Sequence, residues 1–164
     1  MILTTERLTL RELTEADAEQ LYHLNANPNV TRFVSEPALP DVAAALAILR
    51  DIVFPQYRAY GCGRWAVLAR EDGAFLGWCG LKYLPDSGDY DIGYRFFEHA
   101  WGHGYATEAA AACIRWGRQR FPGARIVGRA IPDNARSIRV LGKLGLRFVR
   151  LEHEGGETLA LYAL

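Results

Sequence analysis

The chain has little of what staples or anchors small proteins. Its three cysteines, Cys62, Cys79 and Cys113, lie far apart without C-x-x-C spacing, so neither a disulfide framework nor a cysteine zinc site is expected, and a reducing cytoplasmic location fits best. No apolar run approaches a membrane-spanning length. Met1 to Glu12 mixes Thr, Glu and Arg among its apolar residues, unlike the apolar region of a signal peptide. No membrane partner is expected. The four histidines, His23, His99, His103 and His153, share no ligand spacing, so no metal is expected either. Linkers, internal repeats and low-complexity segments are also lacking, which leaves one domain over residues 1–164. What is present is a 50% hydrophobic content over 164 residues, enough to bury a full core.

Net charge is zero, yet unevenly spread. Residues 1–94 hold 8 Lys/Arg against 13 Asp/Glu, residues 95–150 hold 11 against 3, and residues 151–164 hold 0 against 3, so the segments carry about −5, +8 and −3. A basic middle segment attracts a polyanionic small molecule. Nucleic acid is not expected as a partner, because the arginines are scattered over several elements and form no basic run.

Periodicity orders the elements as a mixed α/β chain, with about six to seven strands and about four helices. Leu8, Leu10 and Glu12 alternate as in a strand, and Thr14 is the expected N-cap of a helix through Ala18, Leu21 and Leu24. Asn27 and Pro28 end it. A second helix is expected from about Asp41 to Tyr60, and Phe33 to Leu39 between them reads as a loop. Arg64 to Arg70, Phe75 to Tyr83 and Tyr90 to Phe96 form a predicted antiparallel meander. After it come the main helix, Tyr105 to Arg120, with a small-residue stripe of Ala106, Ala109, Ala110, Cys113, Ile114 and Gly117, and a strand from Arg125 to Ile131. Asp133 or Asn134 caps a short helix that Gly145 stops. Arg147 to Glu152 and Thr158 to Leu164, joined through Gly155 and Gly156, read as a terminal hairpin.

Between the meander and the main helix lies Trp101-Gly102-His103-Gly104-Tyr105-Ala106-Thr107. Small residues there let a ligand approach the backbone, and the amides of the following helix turn, with the helix dipole, form an anion site suited to a phosphate or pyrophosphate. A glycine turn feeding a core helix is the plainer reading of the same pattern. A dinucleotide-binding turn is the rival ligand reading. It fares poorly, since Thr107 stands at the third glycine position, the preceding strands read as antiparallel, and no acidic residue follows at the required distance.

The loop resembles the acetyl-CoA pyrophosphate loop of the GNAT superfamily of N-acetyltransferases, Arg/Gln-x-x-Gly-x-Gly/Ala. Gly104 and Ala106 match, and Trp101 stands where Arg or Gln is usual. Trp101 to Ala109, W-G-H-G-Y-A-T-E-A, is similar to the RimJ/RimL branch. The resemblance extends over nearly the whole chain and implies a GNAT-like mixed, mostly antiparallel sheet with helices on both faces. It further implies acetyl-CoA as cofactor, transfer to a primary amine such as a protein N-terminus or a small-molecule amine, and a monomer or homodimer. Residues 101–107 would hold the pyrophosphate, while Tyr94, Arg95 and Phe96, on a strand that splays from its neighbour, would lie beside the pantetheine arm.

Asn134 and Ser137, in N-A-R-S-I-R-V-L-G-K-L-G, resemble the second cofactor motif of the superfamily. Their types and spacing are also those of an N-cap and a first-turn serine. The tyrosine that many members carry seven residues after this Asn is replaced by Leu141. The resemblance then leaves Ser137 as the donor to the departing thiolate, although a serine is a weak acid. The missing tyrosine also keeps open a non-catalytic acyl-CoA-binding module. Asp91 matches the position of the general base, with a plain surface carboxylate as the alternative. Glu108 reads as a first-turn partner of the helix dipole. Glu36, Asp41 and Asp51, in the part that would line an acceptor pocket, read either as attraction for a cationic amine or as ordinary solvated charges.

Overall fold

The computed structural model describes residues 2–34 and 37–164, so Glu36 lies outside the described residues. The strands β1 (Leu3–Thr4), β2 (Leu8–Glu12), β3 (Arg64–Ala69), β4 (Phe75–Leu84), β5 (Asp89–Phe96), β6 (Ile126–Ala130), β7 (Arg147–Glu154) and β8 (Glu157–Ala163) form one eight-stranded sheet in the order β1-β2-β3-β4-β5-β6-β8-β7. Every pairing is antiparallel except β5 with β6. The predicted mixed, mostly antiparallel class is what is found, with β1 as a strand too short to register as an alternating pattern.

Alternation along the strands supplies two cores. On one face Leu8, Leu10, Trp65, Val67, Cys79, Leu81, Ile92 and Phe96 pack against Ala109, Ala110, Cys113 and Ile114 of helix α5 (Tyr105–Arg120). The small-residue stripe explains the close approach: a Cβ on Gly117 would lie 2.2 Å from Leu81 Cδ1. On the other face Leu13, Ala18, Leu21, Ala45, Leu49 and Ala66 form the second core beneath α1 (Ala18–Ala26) and α3 (Val42–Ile48). The large buried residues Trp65, Leu8, Leu10 and Leu81 are essentially inaccessible, and truncating one of them would cost about 2–5 kcal/mol.

The helical N-terminal half departs from expectation in three places. Thr14 precedes a single 3-10 turn, Glu15–Asp17, whose Asp17 carboxylate accepts from Thr14 N and Oγ1, and α1 starts only at Ala18. Asn27 does end α1, but it also caps a one-turn helix α2 (Pro28–Thr31) by accepting from Asn29 N. The single helix expected over 41–60 is α3, a π-helical turn at Leu49–Val53, and α4 (Phe54–Tyr60). Pro55 near the start of α4 is the reason. It has no N–H for the helical ladder, and its ring displaces the preceding turn's carbonyl, so the helix widens before it. Asp41, an expected acceptor-pocket residue, caps α3 by accepting from Ala44 N at 2.8 Å.

Toward the C-terminus, α5 leads into β6, then into α6 (Ala135–Lys143). Gly145 has φ 89° and sits just past the end of α6, as expected of a left-handed C′ residue. The β7–β8 hairpin then closes the sheet, β8 inserting between β6 and β7.

Candidate active site

The parallel pair β5 and β6 is joined at two positions only, Tyr90↔Ile126 and Asp91↔Val127. Beyond them β5 runs on to Phe96 and β6 to Ala130 without pairing. The sheet therefore opens as a wedge with its apex at Asp91. Tyr90 N–H donates across to Arg125 O, and strand alternation turns the backbone groups of Tyr94 and Phe96 toward the same side, where β6 has moved away. One of these groups is used internally: Trp101 Nε1 donates to Phe96 O at 2.9 Å. Trp101 thus pins the loop to the end of β5.

At the mouth of the wedge, Gly102 and Gly104 have φ of 79° and 80°. A Cβ on Gly102 would meet nothing within 4 Å, so space lies open above the loop. Gly104 is the N-cap of α5, and among the described residues no side chain caps that end. The amides of Tyr105, Ala106 and Thr107 thereby remain as donors at the positive end of a 16-residue helix. Two arginines stand beside them. Arg7 donates to His103 O at 2.9 Å and stacks 4.7 Å from the Tyr105 ring centroid, and Arg136 lies 4.7 Å from the Trp101 ring centroid. His103 contributes its backbone carbonyl, while its ring stacks on Tyr105 at 5.5 Å. An uncapped helix start, an open glycine shelf and two cations fit the phosphates of a coenzyme A-type group.

Glu108 does more than face the dipole of α5. Its carboxylate accepts from Thr5 Oγ1 at 2.6 Å, from Arg7 N at 3.0 Å and from Arg7 Nε at 2.7 Å, so it ties the β1–β2 turn to the start of α5. Burial alone would raise its pKa, but the hydrogen bonds from Thr5 and Arg7 outweigh that and hold it below the usual carboxylate value.

The other flank of the wedge is the start of α6. Asn134 is its N-cap, Oδ1 accepting from Ser137 N at 3.1 Å. Across the wedge, the Tyr94 phenol donates to Ser137 O at 3.0 Å and lies 3.1 Å from Ser137 Oγ, either hydroxyl being able to donate in that second contact. Burial pushes the Tyr94 phenol well above its ordinary pKa. Leu141 is 1% exposed and would lie 2.5 Å from a Cβ on Gly128 of β6. Position 141, where the resemblance would place a tyrosine, is thus filled by a core-packing leucine.

Asp91, Gly93 and Arg95 share the face opposite α5. Arg64 spans the sheet beneath them, donating to Gly80 O at 2.5 Å, to Asp91 O at 2.7 Å and to Asp91 Oδ2 at 2.5 Å. Gly93 makes room for it, since a Cβ there would lie 2.5 Å from Arg64 Cζ, while Gly80 lets the backbone of Gly63 approach. Asp91 is 6% exposed. Its Oδ1 sits 3.6 Å from Arg129 Nε and accepts no hydrogen bond among the described residues. Arg95 bonds Asn25 of α1 and stacks on Trp78. Arg129 also lines a groove of about 770 Å³ on this face, between β4, the 85–88 turn and β7, with Lys82, Asp89, Arg150, Glu152 and Glu154 on its walls.

The expected site residues therefore fall into two groups. Trp101 to Thr107, Tyr94, Phe96, Asn134 and Ser137 surround the wedge, whereas Asp91 and Arg95 lie at its apex and on the opposite face. Asp51 stays on the exposed π turn, away from both groups. Sequence reading missed Arg7, Arg64, Arg129 and Arg136, and it assigned Tyr94 a backbone role without its phenol. The one available signal was Gly80 with Gly93, small residues in two strands where another group passes.

Residues 7–147 match the acetyltransferase (GNAT) domain family. The YkkB protein of Bacillus subtilis (strain 168) is 31% identical over 166 residues, covering 98% of this chain and 93% of its own length. Among solved structures, the acetyltransferase of Agrobacterium tumefaciens str. C58 superposes with a TM-score of 0.84 at 27% identity, covering 99% of this chain and 92% of that one. RimL, a ribosomal L7/L12 α-N-protein acetyltransferase solved with coenzyme A, shares the fold, with a TM-score of 0.84 at 17% identity over 99% of this chain and 96% of that one. The chain belongs to the GNAT acetyltransferase family and is an acyl-CoA-dependent N-acetyltransferase.

Proposed function

We propose that this GNAT domain, acting in the cytoplasm as a single folded unit, transfers the acetyl group of acetyl-CoA to a primary amine by direct attack in a ternary complex. The observation that carries the reading is the wedge between β5 and β6 with the uncapped start of α5 at its mouth. The amides of Tyr105, Ala106 and Thr107 would bind the pyrophosphate on the shelf made by Gly102, His103 and Gly104, with Trp101 fixing that shelf. Arg7 and Arg136 add charge there. Along the open edge, backbone groups of Tyr94 and Phe96 would hold the pantetheine arm, and Arg95, through Asn25, would fix the strand against α1. Asn134 would face the arm from α6. Acetyl-CoA supplies the acetyl group as an activated thioester.

Asp91 would take a proton from the acceptor, and Ser137 would supply a hydrogen bond to the leaving group. Asp91 Oδ1, buried at the apex and without a hydrogen-bond donor among the described residues, would take the proton of the attacking ammonium while Arg64 holds Oδ2. Ser137 Oγ–H would donate to the leaving sulfur. The groove next to Arg129 mixes Asp89, Glu152 and Glu154 with Lys82, Arg129 and Arg150, and each of those acids is ion-paired with an arginine, so it offers an acceptor on the face opposite α5 polar partners of both signs.

Calorimetry with acetyl-CoA, free coenzyme A and nicotinamide dinucleotides tests the cofactor. Coenzyme A binding without dinucleotide binding is expected, and the reverse would overturn the reading. A thiol-release screen over peptides with free N-termini, polyamines and amine antibiotics then identifies the acceptor. Tight coenzyme A binding with no release on any amine would favour the non-catalytic module instead.

A further inference from the structure

We propose that the Tyr94 phenol is a positioning residue for Ser137: it fixes the serine hydroxyl across the wedge and moves its own hydrogen bond from Ser137 O to Ser137 Oγ when Oγ–H turns to the leaving sulfur. The inference rests on the reading of Ser137 as the donor to that sulfur.

The geometry is a phenol with one proton and two acceptors on the same residue, Ser137 O at 3.0 Å and Ser137 Oγ at 3.1 Å. In one arrangement the phenol donates to the carbonyl and Oγ–H donates back to the phenol oxygen. In the other the phenol donates to Oγ, and the serine proton is released for a second partner. The exchange strands no group. Ser137 O lies in the first turn of α6, where the helix ladder supplies a backbone donor as well. An Oγ that accepts from the phenol is also a stronger donor through its own proton, because successive hydrogen bonds polarise one another.

Position and burial support the same role. Tyr94 stands on β5 and Ser137 on α6, so their bond spans the open part of the wedge and sets the distance between its two walls. A lone serine hydroxyl rotates freely, and this contact removes that freedom. Burial keeps the phenol protonated at neutral pH and therefore always able to donate. The other titratable groups that act on it are Cys79 of β4 and Asp91 of β5. No proton changes owner between Tyr94 and Ser137. The leaving sulfur would keep the electron pair of the broken C–S bond, accept a hydrogen bond from Oγ–H, and take, through water, the second proton that the acylated nitrogen loses, the first having gone to Asp91.

The test needs no acceptor amine. The thiol of bound coenzyme A is titrated by the ultraviolet absorbance of its thiolate in the wild type, Tyr94→Phe, Ser137→Ala and the double variant, with affinity for acetyl-CoA measured by calorimetry alongside. Ser137→Ala should raise the apparent pKa of the bound thiol by about one unit, the size of one hydrogen bond to a charged sulfur. Tyr94→Phe, which keeps the buried ring, should raise it by about half a unit and add nothing in the Ser137→Ala background. Ser137→Thr, which keeps a hydroxyl, should retain the sensitivity to Tyr94→Phe. A wild-type titration in Tyr94→Phe beside a shifted Ser137→Ala overturns the inference and leaves the reading of Ser137 standing. A Tyr94→Phe shift that persists without Ser137 also overturns it, because the phenol would then act on sulfur directly. An unshifted Ser137→Ala removes the reading of Ser137 and the inference with it.

Discussion

Helices α5 and α6 both start at the open end of the wedge, and they treat their first-turn amides in opposite ways. α5 begins at Gly104 in the left-handed region with no side-chain cap, its loop held from outside by Arg7 and Trp101. α6 begins at Asn134, whose Oδ1 consumes the Ser137 amide. The first start leaves its donors without a side-chain cap among the described residues and is stabilised by neighbours far along the chain. The second satisfies itself locally and uses the resulting rigidity to present a side chain, Ser137. A helix N-terminus therefore announces a ligand only when nothing local has capped it.

The sharpest way to break the contrast is Gly104→Val. A branched side chain at φ 80° costs about 1–2 kcal/mol in backbone strain and covers the amides. Coenzyme A affinity should fall at least about a hundredfold, equivalent to about 2.7 kcal/mol, while circular dichroism still reports the folded sheet. Unchanged affinity in the folded variant would remove the loop from the cofactor site.

Gly104→Asn makes α5 resemble α6. Asparagine tolerates the left-handed backbone and brings an oxygen that can cap the same amides. Calorimetry should show affinity down about tenfold, roughly 1.4 kcal/mol, with a melting temperature close to wild type. A gain in affinity would show that the loop amides do not meet an anion.

On the other helix, Asn134→Ala removes the cap and should lower stability by about 1 kcal/mol. If Asn134 also touches the pantetheine arm, coenzyme A affinity falls by more than the shift in melting explains. Equal losses would leave it with the cap alone.

The smallest effect concerns the clamp that holds the α5 start in place. Because Glu108 titrates below the usual carboxylate value of 4.5 in the folded chain, its contribution is complete above that value and is lost as pH falls toward the lowered one. Acid unfolding followed by fluorescence should show this. Glu108→Gln should lose about 0.5 kcal/mol at neutral pH, a figure kept small because Arg7 is exposed. The variant should also melt with a flatter dependence on pH in the acid limb. An acid limb identical to wild type would mean that the clamp adds no pH-dependent stability.

Most elements were legible because their signals are local. The meander, α5 with its small-residue stripe, the cap at Asn134 and the C′ glycine at Gly145 all follow from period, turn residues and caps within a few positions. Pro55 carried the same kind of signal for the broken helix over 41–60, and Asn27 for α2, but one strong apolar period in the first case and one breaker in the second masked them. The two-residue β1 had no period to show.

The sequence by itself determined the strand-loop-helix order around residues 101–107, the glycines that need positive φ, and the polar pair Asn134 and Ser137 at the start of α6. Each depends on backbone preference or on spacings of three and four, which a chain carries wherever it folds. Period and composition did not show that β5 parts from β6 after Asp91, since both read as ordinary strands; the splay was implied by the family resemblance, and the tertiary structure fixes where it begins. It also decided the partners: Tyr94 with Ser137, 43 residues away, Arg64 with Asp91, 27 away, and Arg7 with Glu108, 101 away. A side chain's distant partner is fixed by how the helices seat on the sheet. That seating is a property of the packed core, which no local spacing encodes.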